Sequence, residues 1–243
     1  MTSIERLSSV DLDHRSRVVL DWYDASVGDR PRAIPVLDIC ARLDSIGKLR
    51  LVLDVELGVG PSGRKIRGMF EAEKRLIAID RSLHLGGPQF LFTLAHELAH
   101  FVLHRNYPLT EMNIDASNAT ISDTRWDLYM GRKSTRVTQR DWMEWQANTF
   151  AEALLLPELS LRKTVIAIQR DMGINKHLGA IYINRTPQSR SDYRAIVARV
   201  QTHFHVSRTI VVRRLWRLGI IMDLGGGLKH TSRLFAEDSQ THE

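Results

Sequence analysis

Between residues 92 and 104 the chain reads FTLAHELAHFVLH. Leu94, Ala95, Leu98, Ala99, Phe101, Val102 and Leu103 surround this stretch on every side, so it has no face to offer to water. A helix that is apolar all round belongs in an interior. Yet this one carries His96, Glu97, His100 and His104. Burying imidazoles and a carboxylate without partners is costly. The fold must therefore bring polar partners to this helix from another part of the chain.

His96-Glu97-Leu98-Ala99-His100 has the pattern H-E-x-x-H. Residues four apart lie on one helical face, one turn apart. Two imidazoles so placed can converge on one Zn²⁺ at about 2.0–2.1 Å each. Glu97 is rotated by about 100° from His96, so it flanks the pair. From there a carboxylate can take a proton from a water that the ion has acidified. His104 continues the row but lies about 12 Å along the axis from His96. One ion does not easily reach His96, His100 and His104 together, and His104 reads as a supporting group behind the ligands.

A catalytic zinc usually keeps three protein ligands, so a third must come from elsewhere. The segment EWQANTFAEALLLP, residues 144–157, offers Glu144, with Asn148 and Ala151 on the same face and Ala147 alongside. Small residues would let this helix approach the first. Two local readings of Glu144 stand side by side. Asp141-x-x-Glu144 resembles a capping box, in which Glu144 would only satisfy the helix start. Alternatively, Thr138-x-x-Asp141 caps one turn earlier and leaves Glu144 for the metal. Glu152 is the rival acid, set deeper among apolar positions.

The rest of the chain fits a folded protein. Of its 243 residues 43% are hydrophobic and 26% charged. That is enough for a core and a solvated surface. The single cysteine, Cys40, can form no internal disulfide and reads as a small buried side chain in a reducing, cytoplasmic setting. No signal peptide is evident, and no apolar run is long enough to span a bilayer. Residues 1–45 are helical in pattern, with a turn near Gly28 and Pro31. Leu49, Leu51, Leu53, Val55 and Leu57 alternate as a half-buried strand does. Residues 65–70 and 75–80 read as two further strands, and Gly87-Pro88 breaks the chain before the apolar helix. A long polar loop covers 105–140, with a short helix near 126–130, and a second strong helix runs from Asp141 to Leu156. From Glu158 to about Gly219 the pattern is helical, interrupted near 183–189.

The two segments FTLAHELAHFVLH and EWQANTFAEALLLP together resemble the ImmA/IrrE family of bacterial metallopeptidases. That family joins an H-E-x-x-H helix to a helix with E-x-x-A-N-x-F-A and a leucine-rich end before proline. The resemblance is strongest over 88–157. It implies His96, His100 and Glu144 as metal ligands and Glu97 as general base. The implied cofactor is Zn²⁺, with Mn²⁺ or Fe²⁺ as further candidates for a His₂Glu site. It also implies an α+β fold: a zincin-like, gluzincin-type metallopeptidase core with a small antiparallel or mixed sheet and an active-site helix, then a helical, helix-turn-helix-like region. In such cores an edge strand beside the active-site helix pairs with extended substrate, and a strand within 65–80 could do this. The implied organisation is a peptidase domain over 1–158, a helical region over 159–225 and a tail over 226–243. Family members cleave XRE-type helix-turn-helix repressors, so the implied function is a zinc-dependent endopeptidase that derepresses stress-response or mobile-element genes. The loop between His100 and Glu144 is longer than is usual in the family. Tyr107 and Tyr129 are candidate oxyanion stabilisers.

Charge adds a rival. From residue 160 onward Lys and Arg outnumber Asp and Glu by 14 to 6. Residues 192–219 read as helix, turn, helix, with Ser207 as N-cap and Gly219 as stop. Val206, Ile210, Val211, Leu215 and Leu218 form the expected buried face, leaving Arg208, Arg213 and Arg217 more exposed. Such arginines could contact DNA, or the helices could be an ordinary hairpin packed on the core. The alternative to proteolysis is therefore a DNA- or repressor-binding regulator, an antirepressor that acts without cutting.

Overall fold

A computed structural model describes residues 4–60, 63–107 and 138–224. The predicted short helix near 126–130, Tyr129 and the tail from 226 lie outside these residues. Among them the fold is α+β, with seven α-helices, a three-stranded mixed sheet and a two-stranded sheet.

Helix α1 (Ser9–Asp24) starts at a capping box between Ser8 and Asp11, and a short 3₁₀ turn (Val27–Asp29) follows it. Helix α2 (Val36–Ser45) buries Val36, Ile39 and Cys40. Cys40 is the buried thiol that its apolar context predicts, and burial pushes its pKa up to about 12. The three predicted strands then form as β1 (Arg50–Val55), β2 (Gly68–Glu71) and β3 (Leu76–Asp80). Their order is β1-β3-β2; β3 runs parallel to β1 and antiparallel to β2. That order makes β2 an edge strand.

Asp80, at the end of β3, holds the connection between β1 and β2 in place. Its buried carboxylate accepts from the Leu57 backbone N–H at 2.9 Å, from the Ser82 N–H at 2.9 Å and from the Ser82 hydroxyl at 2.6 Å. The Lys65 ammonium stands 3.2 Å away. Burial alone would raise this group's pKa. The bonds from Ser82 and Leu57, together with Lys65, outweigh burial and hold the carboxyl well below the usual range.

Helix α3 (Pro88–His104) opens with proline in its first turn and is buried on almost all sides, as its composition requires. Helix α4 (Gln139–Leu155) begins at Thr138, whose hydroxyl accepts from the Asp141 N–H while Asp141 accepts from the Thr138 N–H. The cap thus sits one turn before Glu144 and leaves that side chain available. Ala95 and Ala99 of α3, and Ala147 and Ala151 of α4, are fully buried in the shared core. Their missing bulk is what lets the two helices come close.

The C-terminal part departs from an unbroken helical reading. Helix α5 (Glu158–Asp171) ends well before the expected interruption. A three-residue strand β4 (Ile181–Ile183) follows, then α6 (Pro187–Phe204), α7 (Arg208–Arg217) and β5 (Ile221–Asp223). β4 and β5 pair in parallel, Ile181 opposite Ile221. Strands this short show no period of their own. His205, in the left-handed region at φ 54°, turns the chain between α6 and α7, and Ser207 caps α7. One hydrophobic cluster extends from Leu7 to Ile221 through both halves of the chain.

The burial of α7 corrects the sequence reading. Val206, Ile210, Val211 and Leu215 are buried as expected, but so are Val212, Arg213 and Arg214. Arg213 forms an ion pair with Glu152 of α4, and Arg217 pairs with the other oxygen of the same carboxylate at 3.1 Å. Arg214 grips Asp13 of α1 with two bonds of 2.8 and 3.0 Å and donates to the Leu156 carbonyl. A surface helix has one buried face. α7 meets α4 and α1 with its basic face as well.

Candidate metal centre

His96 and His100 of α3 and Glu144 of α4 converge in the interior. Their ligand atoms all lie within 4.8 Å of one another. The two Nε2 atoms are 3.1 Å apart, and Glu144 places Oε2 3.6 Å from His96 Nε2 and Oε1 3.8 Å from His100 Nε2. All three residues are at most 4% exposed, so bulk water does not offset their charges.

The remaining ring nitrogens are occupied. His96 Nδ1 stands 3.1 Å from Asn148 Oδ1. An amide oxygen only accepts, so the proton lies on Nδ1 and Nε2 is bare. His100 Nδ1 meets His104 Nδ1 at 2.9 Å, and His104 Nε2 meets Gln146 Oε1 at 2.9 Å. His104 is therefore a supporting group behind His100, as its distance along the helix predicts. Burial lowers the pKa of both rings, that of His104 to about 4, which keeps them neutral. Two imidazole Nε2 atoms and a carboxylate facing one point make a donor set that a divalent cation satisfies. The residues fit a divalent ion, and the mixed N,O set suits zinc.

Glu97 lies beside this cluster, on the sheet side of α3, and is fully buried. A Cβ built on Gly68 of β2 would come within 3.0 Å of Glu97 Oε1 and 2.5 Å of Thr93 Cγ2. Only glycine allows the edge strand this approach. Burial raises the pKa of Glu97 well above the usual carboxylate range, and the nearby charge of Glu144 raises it further. The Phe70 backbone N–H opposes the shift without closing to a hydrogen bond. Positive charge held between His96, His100 and Glu144 would bring it back down.

A cleft of about 220 Å³ opens onto His96, Glu144 and Asn148. Arg67, Pro88 and Phe92 form one wall, and Thr209, Ile210 and Arg213 of α7 form another. Tyr107 is not part of it: its hydroxyl accepts from the Glu5 backbone N–H at 2.9 Å. A larger recess of about 320 Å³ lies elsewhere, and its charges are matched within the chain: Arg17 with Asp29, Arg162 with Glu158, Arg214 with Asp13. It contains none of the metal-cluster residues.

Three contributors escaped the sequence reading. Arg213 in the cleft could have been suspected from Glu152, an acid in an apolar run with no cation within two turns of it on its own helix. Gln146 and Glu5, which complete the hydrogen bonding behind His104, carry no local signal.

An α+β core whose interior helix presents two histidines and an adjacent glutamate, with a second glutamate from a neighbouring helix, has the donor set of a buried metal centre. The model of the IrrE N-terminal-like domain, peptidase family M78, matches residues 56–216. The chain belongs to that family. Among curated proteins none matches it in sequence. A solved Mycobacterium tuberculosis transcriptional regulator is similar in structure at 15% identity and a TM-score of 0.47, over 84% of this chain and 46% of that one. The chain thus spans less than half of that protein. No helix among the described residues is long and apolar enough to cross a membrane.

Proposed function

We propose that the protein is a cytoplasmic zinc-dependent endopeptidase, with a zincin-like peptidase part over 1–158 and a helix-turn-helix-like part over 159–225. Its proposed substrate is an XRE-type helix-turn-helix repressor, whose cleavage would release stress-response or mobile-element genes. The observation that carries this reading is the buried cluster of His96, His100 and Glu144 beside a cleft lined by Arg67, the residue that leads into the edge strand β2. The substrate class rests on the family resemblance.

Zinc held there would polarise the scissile carbonyl and bring the pKa of a water toward about 7. Asn148 and His104 hold the two ligand rings with Nε2 toward the site. Glu97 takes a proton at its carboxylate from the attacking water and returns it to the departing amide nitrogen. β2, paired on one side only among the described residues, offers backbone N–H and C=O groups to an extended peptide. Arg67 brings a guanidinium to the cleft, while Arg213, which also lines it, is paired with Glu152.

Glu97→Gln tests the proton step. The variant should keep its bound metal, by elemental analysis of purified protein, and lose cleavage of an XRE-type repressor by at least about 10²-fold. Undiminished cleavage would remove Glu97 from the mechanism. The rival reading, a DNA- or repressor-binding antirepressor, draws less support, because Arg213 and Arg217 are engaged with Glu152. Binding of the repressor without fragments would favour it.

A further inference from the structure

Behind the metal ligands a row of buried hydrogen bonds leads to the N-terminal segment. Gln146 donates from Nε2 to the Glu5 carbonyl oxygen at 2.7 Å. Its other end, Oε1, then faces His104 Nε2 at 2.9 Å. Because Oε1 only accepts, the His104 proton lies on Nε2 and its Nδ1 is bare. That atom sits 2.9 Å from His100 Nδ1, which must donate. His100 is left with a bare Nε2, the atom that faces His96 and Glu144.

The opposite polarity would let His100 Nε2–H donate to His96 Nε2 across 3.1 Å, a contact that the favoured polarity leaves to a cation, but it fails at the other end of the row. With the amide reversed, Gln146 would donate to His104, His104 would donate to His100, and the His100 proton would sit on Nε2, blocking a ligand position. That arrangement puts the Gln146 oxygen against the Glu5 carbonyl, two acceptors at 2.7 Å with no proton between them. The Glu5 carbonyl therefore decides the direction of the row. Gln146, His104 and His100 are each at most 1% exposed, so little water is present to reverse it. Tyr107 keeps Glu5 in place by accepting its backbone N–H.

We propose that Glu5, Gln146 and His104 form a positioning relay through which the N-terminal segment sets the tautomer of His100 and so readies the site for a divalent cation. Gln146 and His104 are its positioning residues, and Tyr107 anchors its far end. The relay rests on the metal-centre reading given above. Its test separates the two, because tautomers are read in metal-free protein.

The experiment uses the full chain, ¹⁵N-labelled and stripped of metal, with histidine tautomers read from two-bond ¹H–¹⁵N correlations. The wild type should show His100 protonated at Nδ1 and His104 at Nε2. Gln146→Met removes the acceptor: His100 should become a tautomer mixture, and zinc affinity by chelator competition should fall about 10–100-fold. Tyr107→Phe leaves Gln146 untouched and frees Glu5; it should lower zinc affinity several-fold in the same direction. If Gln146→Met does not fold, the wild-type spectrum and Tyr107→Phe decide the matter. A wild-type His100 protonated at Nε2 would overturn the relay. So would Gln146→Met or Tyr107→Phe protein with unshifted tautomers and unchanged zinc affinity.

Discussion

Single side chains show how closely chemistry and packing are joined here. Asp80 is the clearest case. Its carboxylate collects backbone, hydroxyl and ammonium donors at the root of the connection that leads to Arg67 and Gly68, so it holds one wall of the cleft. Because its folded pKa is depressed, its contribution is present above the unfolded value of about 3.9 and is lost as pH falls through the folded value. Asp80→Asn should lower stability by about 1.5–3 kcal/mol at pH 7. The gap between variant and wild type should narrow below about pH 4, in urea unfolding followed across pH. Glycine matters at Gly68 for a different reason: at this close approach any side chain would collide with Thr93 and crowd Glu97. The histidine and glutamate positions in α3 were legible in the sequence because four-residue spacing is a local property of a helix. The donor that orients each ring was not, because Asn148, Gln146 and Glu5 come from other segments.

Among the elements, α4 and α7 show where helical patterning succeeds and where it fails. For α4 the pattern predicts the stop near Pro157 and a small-residue face toward α3, and both are present. The rival roles of Glu144 are separated by the Thr138–Asp141 cap, one turn ahead of it. For α7 the same reasoning finds the apolar face but misplaces the arginines. A basic face looks solvated unless a buried acid is known to wait for it, and Glu152 waits on another helix. Glu152→Ala would leave Arg213 and Arg217 buried together without their counter-charge. It should cost roughly 3–5 kcal/mol in urea unfolding. A charge reversal at Arg213 and Arg217 should likewise destabilise the fold in the absence of DNA, so DNA binding by that variant is interpretable only alongside its melting curve.

Over the whole molecule, the hydrophobic cluster and the ion pairs from α7 to α4 and α1 join the N-terminal and C-terminal parts. The metal centre sits within that continuous core, so occupancy should register in global stability. At zinc about 100-fold above its dissociation constant, binding to the folded state alone adds about 2.7 kcal/mol. For a chain of this size that corresponds to a rise in Tm of about 5–10 °C. Calorimetry with zinc and then with excess chelator should show the shift and its reversal. A cluster that took no ion would melt at the same temperature in both.

The sequence alone determined which helix had to be central, which residues lay on its polar row, where three strands formed and where α4 ended. These follow from periods of two and 3.6 residues and from caps, all of which act within a few neighbours. Only the tertiary structure decided that Glu144 reaches the two histidines, that Glu152 draws in the arginines of α7, and that Glu5 stands behind Gln146. Each of these joins groups far apart along the chain, and no local period records which distant partner a buried charge or amide will meet.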